Sequence, residues 1–157
     1  MTYQSILDFL SEKMTSEKSL DLLSEICSLK LDFDHTFHLF GLALADHAWE
    51  DNGELLVKSG VITFMELPAY REEVFDMISA RMDPSICPDP DFPFKVMETA
   101  RKGKYCSKGM PTKTEEMLLR LGLPEWFIGY IKKVYYLPAR ARGKELLEQE
   151  LKKQADN

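Results

Sequence analysis

Apolar residues recur along nearly the whole chain at steps of three and four, and each run is cut short by proline, glycine or a hydroxyl-bearing turn. That period lines the apolar side chains of a run along one stripe of an α-helix, and each such stripe needs another to cover it. The expected fold is therefore mainly α: a compact multi-helix domain. No apolar run approaches the roughly 20 residues that span a bilayer.

The runs can be placed from their ends. Ile6, Leu7, Leu10 and Met14 form one stripe and Leu20, Leu23, Ile26 and Cys27 a second, with Thr15 and Ser16 as the turn between them. A third helix is expected to start near Asp32 or Asp34 and to reach about Asp51 before Asn52-Gly53 stops it. Pro68 suits the first turn of a helix buried along Tyr70, Val74, Met77, Ile78 and Met82. Residues 94 to 102 make a shorter helix ended by Gly103. Thr112 with Glu115 has the spacing of a capping box for a helix reaching Leu121. Gly122 and Pro124 then separate it from a helix that Pro138 breaks, and Leu146, Leu147 and Leu151 mark a short terminal helix.

Two places invite more specific readings. Leu-Leu-Val before Lys58-Ser59-Gly60 and Val-Ile-Thr-Phe after it suit a small β-hairpin over residues 55–65. The pair of helices over residues 112–137, joined through Gly122, has the outline of a helix-turn-helix corner.

The whole chain, 1–157, is read as a single domain, since its length matches one domain. The proline-rich stretch 83–93 is the candidate subdomain boundary, between an acidic helical segment over residues 1–82 and a basic helical segment over residues 94–153. Charge divides close to that boundary. Residues 1 to 94 carry 6 basic against 18 acidic side chains, whereas residues 95 to 144 carry 12 basic against 4 acidic. A net charge of -6 argues against a general nucleic-acid binder, yet the basic half can still steer a polyanion.

This asymmetry favours a non-enzymatic protein-interaction or regulatory domain, an adaptor or inhibitor that meets another protein through charged and aromatic surfaces. Its expected partner-binding residues are Trp126, Tyr130, Lys132, Lys133, Arg140 and Arg142, aromatic anchors rimmed by cations. Self-association is a further expectation, although no sustained heptad marks a coiled coil. The alternative is a DNA- or RNA-binding regulator using the basic face of residues 101–144, through Arg101, Lys102, Lys104, Lys108, Lys132, Lys133, Arg140, Arg142 and Lys144. A third reading is a metal-dependent enzyme, because all three histidines fall between Asp32 and Asp51. His35 and His38 stand one turn apart, and a metal would need a further ligand from another helix.

Motifs for named chemistries are missing. The histidines lack the H-E-x-x-H spacing, the glycines near Lys104 do not form a phosphate-binding P-loop, and no G-x-G-x-x-G fingerprint occurs. No cofactor is signalled. Cys27, Cys87 and Cys106 are odd in number and widely spaced, which reads as reduced thiols, and the opening Met1-Thr2-Tyr3-Gln4 lacks the features of a signal peptide. A cytoplasmic location is expected.

Overall fold

The computed structural model describes residues 3–13 and 32–155, and among them nine α-helices of five or more residues and no β-strand. They are α1 (Tyr3–Lys13), α2 (Phe33–Leu44), α3 (Glu54–Lys58), α4 (Arg71–Ser79), α5 (Phe92–Arg101), α6 (Lys104–Lys108), α7 (Thr112–Arg120), α8 (Glu125–Lys133) and α9 (Arg140–Ala155). The mainly α class is as expected. The helix expected over Leu20 to Cys27 lies outside the described residues, as does Cys27. No described helix is long and apolar enough to cross a membrane.

Local chemistry explains most helix ends. Asp32 caps α2 by accepting the His35 amide at 2.8 Å. Pro93 sits in the first turn of α5, where its missing amide costs nothing. Gly103 ends α5 in the left-handed region, at φ 71°. Tyr70 caps α4, with the Glu73 carboxylate accepting the Tyr70 amide at 3.2 Å.

Four expectations are corrected. The hairpin over 55–65 does not form: Leu55 to Lys58 continue a helix from Glu54, and Phe64–Glu66 is one 3-10 turn. Val61 is exposed while Ile62 and Phe64 are buried, so Phe64 can fill a core position from a tight turn, where it meets the edges of His38 and Trp49. The third helix breaks early. α2 stops at Leu44, and a helical turn over Asp46–Ala48 leads into a π turn, Trp49–Gly53, in which Asp51 takes φ 56°. Burying Trp49 in the core while turning the chain accounts for that break. The capping box at Thr112 is absent, because Thr112 lies inside the helix and Glu115 is drawn to Lys132 at 2.6 Å. The terminal helix is long rather than short, running from Arg140 to Ala155.

The helices pack into one hydrophobic cluster that includes Ile6, Phe40 and Trp49 before the proline-rich loop and Phe127, Tyr130 and Leu147 after it. α2 lies against α1 and α9, α4 against α5, and α8 against α6, α7 and the turns around Trp49. Tyr70 packs against both α2 and α9. Its ring is fully buried between Gly41 and Gly143, and its hydroxyl donates to the Phe37 carbonyl at 2.5 Å. The proline-rich loop is internally tied: Asp83 accepts the Ser85 amide and hydroxyl, and Cys87 is buried.

Candidate nucleic-acid interface

The basic half is organised around the joint between α5 and α6. A Cβ on Gly103 would collide with the backbone of Tyr135, 2.6 Å from its Cα, so only glycine lets that segment lie across the joint. The Leu137 amide donates to the Arg101 carbonyl at 3.3 Å and holds it there. With the joint fixed, one face of α5 and one face of α6 diverge to form a cleft. It has a volume of about 470 Å³, and Gly109, Pro111 and Thr114 are part of its lining. Phe92, Val96 and Tyr105 give it an apolar wall, while Lys95, Lys104, Lys108 and Thr99 supply polar groups. Tyr105 is buried, and that burial raises its hydroxyl pKa, while the Thr99 hydroxyl donates to the Lys95 carbonyl at 2.8 Å.

The cations expected to form a nucleic-acid surface do not share one state. Glu98 holds Arg101 at 2.6 Å and Lys102 at 3.7 Å, and Lys132 is paired with Glu115. Arg140 reaches Asp76 at 3.3 Å, and Arg142 reaches Glu145 at 3.1 Å. Lys104, Lys108, Lys133 and Lys144 are exposed, and among the described residues none of the four has a carboxylate partner. Two of these four, Lys104 and Lys108, are on the cleft. Lys95 also reaches it, but Asp89 neutralises that ammonium at 2.7 Å.

The aromatic anchors fare differently. Tyr130 is fully buried and donates its hydroxyl to the Pro68 carbonyl at 2.5 Å, so it is a core residue and no surface anchor. Trp126 is half-buried with its ring edge-on to Phe127. The corner of α7 and α8 exists, but Phe127, Ile128, Tyr130 and Ile131 all face the interior, and Asn52 donates to the Tyr130 carbonyl at 3.1 Å. α8 is thus embedded among its neighbours instead of standing out as a groove-reading helix.

His35 and His38 are not joined into a site. The Asp32 carboxylate lies 2.8 Å from His35 Nδ1, whereas His38 is buried with its Nδ1 3.8 Å from a Glu73 oxygen. Burial pushes the His38 imidazole down to about 4 and the Glu73 carboxyl up to about 7, so the pair is held uncharged between those values. Among the described residues no three His, Cys, Asp or Glu side chains converge to hold a metal ion.

Sequence reasoning missed the cleft-lining residues Phe92, Lys95, Thr99, Tyr105 and Thr114. Phe92, Lys95, Val96 and Thr99 are spaced as one face of a helix, which was a usable signal. The meeting of that face with α6 was not.

No protein-family model matches the chain. It is similar to a stretch of the DNA polymerase III PolC-type of Caldanaerobacter subterraneus subsp. tengcongensis and of that of Bacillus cereus, each 30% identical over 112 residues, 71% of this chain. The corresponding polymerase of Bacillus subtilis is 26% identical over the same length. In each case the match spans 7% of the polymerase, so the chain is similar to a small piece of these large enzymes.

Proposed function

We propose that this chain is a DNA-binding module that acts through the cleft between α5 and α6 and the basic surface beside it. The reading assigns these residues a binding role and no chemical step. One observation carries it: Lys104 and Lys108, which have no carboxylate partner among the described residues, border an apolar wall that includes Phe92 and Tyr105. Cations without an internal partner can neutralise phosphates at no cost in broken ion pairs, and apolar area beside them suits the face of a base. The remaining pairs in the basic half are largely exposed, and exposed pairs are weak enough for a polyanion to replace. Similarity to a stretch of DNA polymerases supports DNA as the polyanion. The acidic first half would orient the chain with its basic half toward DNA.

The test is fluorescence anisotropy with labelled DNA across a salt series. The expected result is saturable binding that weakens with salt, with the slope of log affinity against log salt reduced by about 1 for each of Lys104→Gln and Lys108→Gln. Binding unchanged in the double variant would overturn the assignment to this cleft. No binding at low salt would overturn DNA recognition altogether. A protein-binding adaptor is the second reading, favoured by Tyr135 and Tyr136, which remain 47% and 43% exposed on the segment leading into α9.

A further inference from the structure

We infer that the cleft between α5 and α6 receives one unstacked base of a single-stranded DNA, with the neighbouring phosphates on Lys104 and Lys108. This rests on the DNA-binding reading and specifies the form of DNA. Size is the first reason. A cleft of about 470 Å³ falls within the range of small-molecule sites and has room for a base but not for a duplex. Chemistry is the second. The apolar wall of Phe92, Val96 and Tyr105 offers nothing to a phosphate, and the ammonium groups offer nothing to a bare apolar ligand. A ligand with a flat, largely apolar body and an anionic group on each side satisfies both. In duplex DNA the faces of the bases are covered by stacking, whereas a single strand can splay a base out onto an aromatic wall.

Placement of the polar groups agrees. Thr114 and Thr99 also line the cleft: Thr114 is able to donate to or accept from a base edge, and Thr99, whose proton goes to the Lys95 carbonyl at 2.8 Å, is able to accept from one. Lys95 stays tied to Asp89, so the cationic charge without an internal partner lies on the α6 side. A strand would therefore run along α6, passing Lys104 and Lys108, which stand one helical turn apart.

The experiment is competition anisotropy with the full chain. The probes are an oligothymidylate, a strand of equal length and charge made wholly of abasic sites, a blunt duplex, and thymidine monophosphate. The expected order places oligothymidylate tighter than the abasic strand by roughly five- to a hundredfold, the range that one stacked base supplies. The duplex should compete no better than the abasic strand. Lys104→Gln with Lys108→Gln, both exposed and safe for folding, should weaken oligothymidylate and abasic strand by similar factors.

Equal binding of abasic strand and oligothymidylate would overturn the inference while leaving DNA binding by the basic surface intact. Duplex binding tighter than either strand would do the same. Thymidine monophosphate competing as well as the oligonucleotide would make the cleft a mononucleotide site and refute the strand path along α6. Failure of every probe to bind would instead remove the underlying proposal.

Discussion

Replacing Gly143 by alanine tests whether Tyr70 is the wedge that sets the distance between α2 and α9. A Cβ at position 143 would meet the Tyr70 hydroxyl and, at 2.6 Å, its ring. The ring has little room to move, because it is also so close to Gly41 that a Cβ there would lie 2.6 Å from Cζ. Overpacking of this kind costs about 1–3 kcal/mol, and the gain in helix propensity returns less than about 1 kcal/mol. Contacts this short place the cost in the upper part of that range, and the resulting net loss of about 1–2 kcal/mol corresponds to a fall in melting temperature of roughly 2–8 °C for a chain of this size. Thermal and urea unfolding would measure it. Because the hydroxyl is among the atoms displaced, the cost should shrink in a Tyr70→Phe background, giving a non-zero coupling in the double-mutant cycle. If Gly143→Ala is as stable as the parent, the close packing inferred for Tyr70 is wrong.

Asn52→Ala should lose about 0.5–1.5 kcal/mol in urea unfolding, since it removes one buried hydrogen bond while the Tyr130 carbonyl keeps the Val134 amide at 3.3 Å; a neutral result would mean that the Asn52 bond adds nothing to stability. Glu72 accepts the Arg140 amide at 2.8 and 3.1 Å and so caps α9, and Glu72→Gln should cost about 0.5–1 kcal/mol and lower the helical circular dichroism signal on mild heating. The buried pair makes opposing contributions with pH. Glu73 is raised from 4.5 to about 7, so its stabilising contribution is present below 4.5 and lost as pH rises through 7, while His38 is lowered from 6.5 to about 4, so its contribution is present above 6.5 and lost as pH falls toward 4. Between 4.5 and 6.5 the two slopes largely cancel, and Glu73→Gln should unmask the His38 slope as a stability that falls toward acid. Urea midpoints at a series of pH values would show it, and a Glu73→Gln profile parallel to the parent would refute the paired burial.

Helix class and many helix ends were legible because the physics that sets them is local. The helix start at Asp32, the left-handed Gly103 and the three-to-four spacing of apolar side chains each act within a turn or two, so a linear string contains both partners, whereas Pro93, expected in the proline-rich loop, lies in the first turn of α5. The same locality misled at residues 55–65, where β-branched composition suggested a hairpin but Phe64 is needed against His38 and Trp49. It misled again at Thr112, where a capping spacing lost its glutamate to Lys132, 17 positions away.

The candidate site was half legible. Uneven charge pointed to the basic stretch, and Lys104 and Lys108 were named from it. Whether a cation is available depends on carboxylates brought by other elements: Asp76 reaches Arg140 across 64 positions and leaves it paired, while nothing comparable among the described residues reaches Lys104. Tyr130 has the same residue type and neighbours in sequence as a surface anchor, yet its hydroxyl is satisfied by Pro68, 62 positions earlier, deep in the core. The sequence by itself thus determined a helical chain with its positive charge concentrated in one half, because helix period, capping and charge are properties of neighbouring residues. Only the tertiary structure decided which lysines stand free and where the cleft opens, because burial and ion pairing depend on groups that folding brings together from distant regions of the chain.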